Sequence, residues 1–215
     1  MHNILLTGFA PFDHEITNPS WETAKEFSGK KILDHTIHVA QLPCEFGVAL
    51  RDLRNQIEQL KPQLVICLGQ AGGRSEITVE RVAINVDDAR IPDNIGAQPI
   101  DQAIVEGGPA AYFSTLPIKA ITHTLRENGI PADVSQSAGT YVCNHVFYGL
   151  MHLASQNREI LRAGFIHIPY LPSQACLHPG SASMSQSMME KAVQLIVEEC
   201  ISRKDDLKMG AGRIY

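Results

Sequence analysis

The sequence predicts a single α/β domain in three layers, α/β/α: a mostly parallel, twisted sheet with helices on both faces. Two observations carry that expectation. Residues 3–8, 63–69 and 163–169 are short and almost wholly apolar, as strands covered on both faces must be. Between them lie runs in which apolar residues return every three or four positions, the period of a helix with one buried face. Strand and helix alternating in this way build a parallel sheet.

Taken in order, residues 3–8 form a strand that ends at Gly8, and residues 9–17 form a loop. Asn18 then caps a helix with Pro19 at its first position, running to about Phe27. Residues 32–42 contain a second extended segment, closed by Pro43. Phe46, Leu50, Leu53, Ile57 and Leu60 mark a helix over 45–61. The strand at 63–69 ends in a glycine-rich turn, 70–75, and the β-branched alternation of 77–84 predicts one further strand. Residues 85–99, rich in Asp, Asn, Pro and Gly, form a loop long enough to be functional or disordered. Pro117 opens a helix over 118–127 that Asn128-Gly129 closes. A strand near Val134, a helix beginning near Cys143, a strand at 163–169 and a helix at 184–203 complete the pattern. The tail, 205–215, has no apolar stripe and is expected to be loose. No repeat or linker divides the chain, so residues 1–215 are expected to be one domain.

Composition narrows the function. The chain has 215 residues, 44% hydrophobic and 19% charged, with a net charge of −5. No basic patch predicts nucleic-acid binding. No apolar run approaches the roughly 20 residues of a membrane span, and the N-terminus lacks a signal-peptide pattern. The five cysteines are odd in number and widely spaced, which argues for a reduced, cytoplasmic protein rather than a disulfide framework. No Cys-x-x-Cys or His-x-x-x-His spacing suggests a metal, and no cofactor is expected.

The most suggestive stretch is 137–149. Small residues, Ala138-Gly139-Thr140, permit a sharp turn after the extended run 133–136, and an apolar run then continues as helix. Cys143 falls at the helix start, where unpaired N–H groups carry partial positive charge. A thiol placed there has its pKa lowered and is partly thiolate near neutral pH. The competing reading is a small buried hydrophobe. Thiolate catalysis also needs a histidine to exchange the proton and gains from a carboxylate that orients the ring. Sites in open α/β sheets lie at the carboxyl ends of strands, where His167 falls, although a satisfied core histidine fits that position as well. His145, two residues from Cys143, reads as structural or exposed. Glu80, with Val79 and Val82 around it, needs a partner: an imidazolium, or the neighbouring Arg81.

Four motifs in order make the sequence resemble the pyroglutamyl peptidases of the pyrrolidone-carboxylate peptidase type: Gly8-Phe-Ala-Pro-Phe with Asn18-Pro-Ser; Gly69-Gln-Ala-Gly-Gly-Arg74 with the run from Ile77 to Asn94; the stretch from Ser137 to Asn144; and Phe165-Ile-His-Ile-Pro169. The resemblance implies Cys143 as nucleophile, His167 as its base, Glu80 as the orienting acid and Arg90 as an oxyanion ligand beside the N–H of Cys143. It implies substrate contacts from Phe9, Phe12, Asn18, Gln70 and Val142, a homotetramer, and N-terminally pyroglutamylated peptides as partners. Asp13-His14 depart from the family's pattern, which often carries glycines there. Pyroglutamate is a neutral lactam without a free α-amine, so its pocket needs apolar faces plus one donor and one acceptor. Phe9 and Phe12 supply such faces, unless they only pack the core, and the backbone of the Gln70 loop supplies the polar pair. The alternative function is a nucleoside- or phosphate-binding, phosphorylase-like protein using Gly72 and Gly73, although no Lys-Ser/Thr follows as in a P-loop.

Overall fold

Seven strands form the central sheet in the order β2-β3-β1-β4-β9-β5-β8 in the computed structural model, which describes residues 2–157 and 159–212. The strands are β1 (His2–Phe9), β2 (Lys31–Ile32), β3 (His35–Leu42), β4 (Leu64–Gln70), β5 (Ile77–Glu80), β8 (Ala132–Ser135) and β9 (Arg162–Ile168). A separate two-stranded ribbon joins β6 (Val82–Ile84) to β7 (Ala111–Phe113). The helices are α1 (Pro19–Lys25), α2 (Val48–Leu60), α3 (Ile118–Glu127), α4 (Val142–Gln156), the short α5 (Pro172–Ala175) and α6 (Gln186–Ser202).

Strands β3, β1, β4 and β9 run parallel, whereas β5 and β8 run the other way, β5 pairing antiparallel with β9. Alternation along the parallel strands divides two cores. Ile4, Leu6, Ile66, Leu68 and Ile166 face α1, α3 and α6. Leu5, Val65, Cys67, Ala163 and Phe165 face α2 and α4. This is the three-layer arrangement expected of near-continuous apolar strands.

Four local departures have physical causes. The extended stretch 32–42 is a hairpin, because Leu33 and Asp34 both take positive φ (43° and 64°), the conformation of a two-residue turn. The strand expected over 77–84 breaks at Arg81. There the Arg81 N–H donates to Ser135 O while its carbonyl accepts from Ser114, so the chain leaves the main sheet and continues as the ribbon. The helix expected from residue 45 begins at Val48. The tail, expected to be loose, is anchored over 205–212: Asp206 accepts from the first N–H groups of α3, Lys119 and Ala120, and Ala211 O accepts from Arg81. Residues 213–215 of that tail lie outside the described residues.

Asn18 caps α1 as the sequence predicts, its Oδ1 accepting from the Ser20 N–H at 3.1 Å. Gly8 allows α1 to approach β1: a Cβ there would lie 2.4 Å from Ser20 O and 2.5 Å from Trp21 N, both backbone atoms. Gly8→Ala is therefore expected to destabilise the protein by about 3 kcal/mol, measured by urea unfolding; a cost within about 0.5 kcal/mol would show that α1 moves aside freely.

Candidate active site

Glu80 and His167 meet on the α4-facing side of the sheet. Thr78 lies directly opposite His167 in the β5–β9 pair, so Glu80, two residues further on, sits diagonally across on the same face. Its Oε1 is 2.7 Å from His167 Nδ1. An ionised carboxylate only accepts, so Nδ1 carries the proton and Nε2 is left as a free lone pair. Both side chains are buried, Glu80 completely. Glu80 Oε1 also accepts from Arg74 Nη1 at 2.7 Å, whereas Oε2 is buried without a partner. Burial alone would raise the Glu80 carboxyl. The hydrogen bond and electrostatic interaction with the His167 ring, and the Arg74 guanidinium, outweigh it and hold the carboxyl below the ordinary carboxylate value. Arg81, the other partner considered for this charge, turns away to Ala211 O.

Cys143 is the second residue of α4, as the turn before it predicts. The turn is fixed from outside: Gly139 takes a φ of 77°, Thr140 Oγ1 donates to Asp88 O at 2.7 Å, and the Asp88 N–H donates back to Thr140 O. Asn144, fully buried, bonds both polar groups of Ile84 and the carbonyl of Val86. These contacts press the helix start against the ribbon and aim the thiol at the sheet. Sγ lies over Gly69, 3.0 Å from where a Cβ would stand, and Gly69 is the ladder partner of His167. Glycine at 69 thus makes room for the thiol beside the imidazole.

The expected lowering of the thiol pKa is not found in this resting arrangement. Burial pushes the half-buried Cys143 well above the ordinary thiol value, the neighbouring Cys44 and Glu80 add to this, and Arg74 opposes it. No hydrogen bond joins Sγ to His167 among the described residues. Burial therefore favours the neutral thiol in this arrangement. The other buried thiols, Cys44, Cys67 and Cys200, are each pushed by burial to about 12 and stay inert.

The remaining expected positions divide. Phe9 is buried against Phe165, ring centroids 6.2 Å apart, so it packs the layer beneath the site. Phe12 is half-buried against Tyr141, and Tyr141 meets Phe46 edge-on at 5.4 Å. With Val142 at the first turn of α4, they form an apolar wall beside Cys143. Asn18 is committed to its cap and to Ala10 O. In the Gln70 loop the Ala71 N–H is held by Ile168 O. The Gln70 side-chain Oε1 accepts from Gln174 at 3.0 Å, and its amide nitrogen makes no hydrogen bond among the described residues. Arg90 is exposed, with no hydrogen bond or ion pair among the described residues, two residues beyond the Asp88–Thr140 clamp. His145 is structural and buried: Nδ1 donates to Asp87 at 2.8 Å and Nε2 accepts from the Gly47 N–H. Asp13 and His14 adopt φ values of 51° and 63°, so the loop keeps a glycine-like, left-handed course without glycines.

Sequence reasoning missed Arg74 and Tyr141. Both stand inside the quoted motifs, Arg74 closing the glycine-rich turn and Tyr141 immediately before α4, and neither had a role assigned. Among the described residues no three His, Cys, Asp or Glu side chains converge as a metal site, and no helix is long and apolar enough to cross a membrane.

A family model described as pyroglutamyl peptidase matches residues 2–203. The chain belongs to the pyroglutamyl peptidase family. It is 55% identical to a pyrrolidone-carboxylate peptidase of Cupriavidus necator and 56% identical to one of Klebsiella pneumoniae, each covering the whole of both chains. The crystal structure of pyroglutamyl peptidase I from Bacillus amyloliquefaciens superposes with a TM-score of 0.94 at 47% identity, over 98% of this chain and 100% of that one. The pyrrolidone carboxyl peptidase of Thermococcus litoralis gives the same TM-score at 43% identity, again over 98% and 100%. Family membership and the site agree against the phosphate-binding alternative. Gly72 lies beneath the Tyr170 ring, and Arg74, the cation of the 70–74 turn, is paired with Glu80.

Proposed function

We propose that this protein is a cysteine exopeptidase that removes N-terminal pyroglutamyl residues from peptides. The observation that carries it is the convergence of a helix-start thiol, a buried Glu80–His167 pair with Nε2 free, and an apolar wall, in a chain of the pyroglutamyl peptidase family. Cys143 Sγ attacks the pyroglutamyl carbonyl while its proton moves to His167 Nε2. The oxyanion is met by the Cys143 N–H at the start of α4 and by Arg90, which is free to swing to it. His167 then returns the proton to the departing amine, and water, deprotonated by the same Nε2, releases pyroglutamate from the thioester. Phe12 and Val142 supply the apolar faces, with Tyr141 beside them and Phe9 packed beneath; Gln70 binds a polar edge of the lactam, and Asn18 holds the first loop through Ala10. Glu80 keeps Nδ1–H fixed so that Nε2 faces the thiol.

A tetrameric assembly and a cytoplasmic location belong to the same reading. Exposed apolar side chains such as Ile95, Ile100 and Phe113 are available to the first, and five unpaired cysteines suit the second.

The test is release of a chromophoric amine from a pyroglutamyl amide, with and without prior iodoacetamide. Turnover abolished in step with carboxamidomethylation of Cys143 is the expected outcome; turnover that survives full modification of Cys143 would sink the reading.

A further inference from the structure

We propose that Arg74 is a positioning residue of the catalytic centre: its guanidinium shares Glu80 Oε1 with the His167 ring, fixes the pair relative to the cysteine loop, and sets the pH range of the reaction. The inference rests on the proposed cysteine peptidase chemistry. Three contacts carry it. Nη1 donates to Glu80 Oε1 at 2.7 Å and to Thr78 Oγ1, both on β5. Nη2 donates to Ser137 O at 3.2 Å, in the turn that leads to Cys143. One planar group thus ties the strand bearing the acid to the loop bearing the nucleophile, a geometry that the fork of arginine suits and the point charge of lysine does not.

The electrostatics of the pair give this contact weight. Glu80 is completely buried, its Oε2 has no partner, and both bonds to it fall on Oε1. A buried carboxylate is costly unless it is paired and hydrogen-bonded, and Arg74 adds to the larger contribution of His167 in keeping Glu80 ionised. Around these groups stand His167 from β9, Thr78 from β5, Ser135 from β8, and Cys143 from α4 with Cys44 and Cys67 behind it. Glu76 and Asp133 line the outer groove beside Arg74, with Arg126 on Asp133 at 3.1 Å. Arg74 is the cation among these that faces both Glu80 and Cys143, and it favours the ionised form of each.

The sign follows. A fixed positive charge disfavours every added proton nearby. Without it, imidazolium and thiol both hold their protons to higher pH, so both limbs of the pH profile move alkaline. A role limited to packing would lower the rate and leave the limbs in place.

The experiment compares Arg74→Met, Arg74→Gln and Arg74→Lys with the wild type, reading kcat/KM against pH on a pyroglutamyl amide and, separately, the pH dependence of Cys143 alkylation. Arg74→Gln keeps a donor without charge and serves if the methionine variant does not fold. Expected are a loss in kcat/KM of about 10–100-fold at neutral pH and an alkaline shift of about one pH unit in the two neutral variants. Arg74→Lys should keep the wild-type limbs with part of the rate. Reduced rates with unmoved limbs, or unchanged rates in the neutral variants, would overturn the proposal. If the wild type released no amine, the peptidase reading would fall, while the alkylation profiles would still decide whether Arg74 governs the thiol and its histidine.

Discussion

Cys143→Ala is expected to hydrolyse pyroglutamyl amides no faster than background, because no other accessible nucleophile lies in the site. Cys44 and Cys67 are buried with pKa values near 12 and face the core. His167→Ala should be nearly as damaging, since Nε2 both takes the thiol proton and returns it to the amine; a loss of about 10⁶ is the scale seen when the nucleophile or base of a hydrolytic triad is removed. Glu80→Gln should cost less, about 10⁴. The amide oxygen can still accept from His167 Nδ1 and Arg74, with the NH₂ in the buried place of Oε2, but the imidazolium loses its counter-charge. The double variant Glu80→Gln/His167→Ala should be no worse than His167→Ala, because the carboxylate acts through the ring. Steady-state kinetics on folded variants decide this. Substantial activity in Cys143→Ala would mean another nucleophile. Multiplicative losses in the double variant would mean that Glu80 works by another route, for instance through Arg74 on the cysteine loop.

The second large effect is discrimination between lactam and plain ring. Prolyl amides have the shape of pyroglutamyl amides but carry a secondary ammonium and lack the ring carbonyl. The wall of Phe12, Phe46, Tyr141 and Val142 offers no carboxylate for that ammonium. Loss of the carbonyl leaves the Gln70 amide, buried at the end of β4 and turned by Gln174, without its partner. A site built to bond a polar group rejects an analogue lacking it by about 10⁴. Comparable kcat/KM values for the two amides would show that the wall reads shape alone. Gln70→Ala should narrow the ratio, chiefly by slowing the pyroglutamyl compound.

What was legible in the sequence follows the periodicity. The buried strands and the helices α3 and α6 declare themselves through composition, and Asn18-Pro19 marks the start of α1 through capping chemistry alone. The break at Arg81 was not legible. A β-branched run looks the same whether it stays in one sheet or crosses to another, and here Ser135 and Ser114 decide, from far along the chain. The reversal of β5 and β8 was hidden for the same reason, since strand direction is a long-range property. In the site, Cys143, His167 and Glu80 were placed by local context and by the resemblance. The competition over the thiol was not visible: a helix start lowers a thiol, burial raises it, and only the packing shows how deep Cys143 lies. Arg74 escaped notice because an arginine after two glycines reads as a solvated turn until Glu80 is found beneath it.

The reversed pairing of β5 and β9 has a mechanical consequence. Acid and base ride on adjacent strands inside a hydrogen-bonded ladder, and their separation can change only if the sheet itself deforms. The nucleophile rides on a loop and a helix end, held by side-chain clamps from residues 84–88. The centre is therefore held by two different means: the spacing of acid and base by the sheet ladder, and the position of the sulfur by the side-chain contacts of a turn. A substitution in those contacts is expected to shift the sulfur and leave the spacing of Glu80 and His167 unchanged.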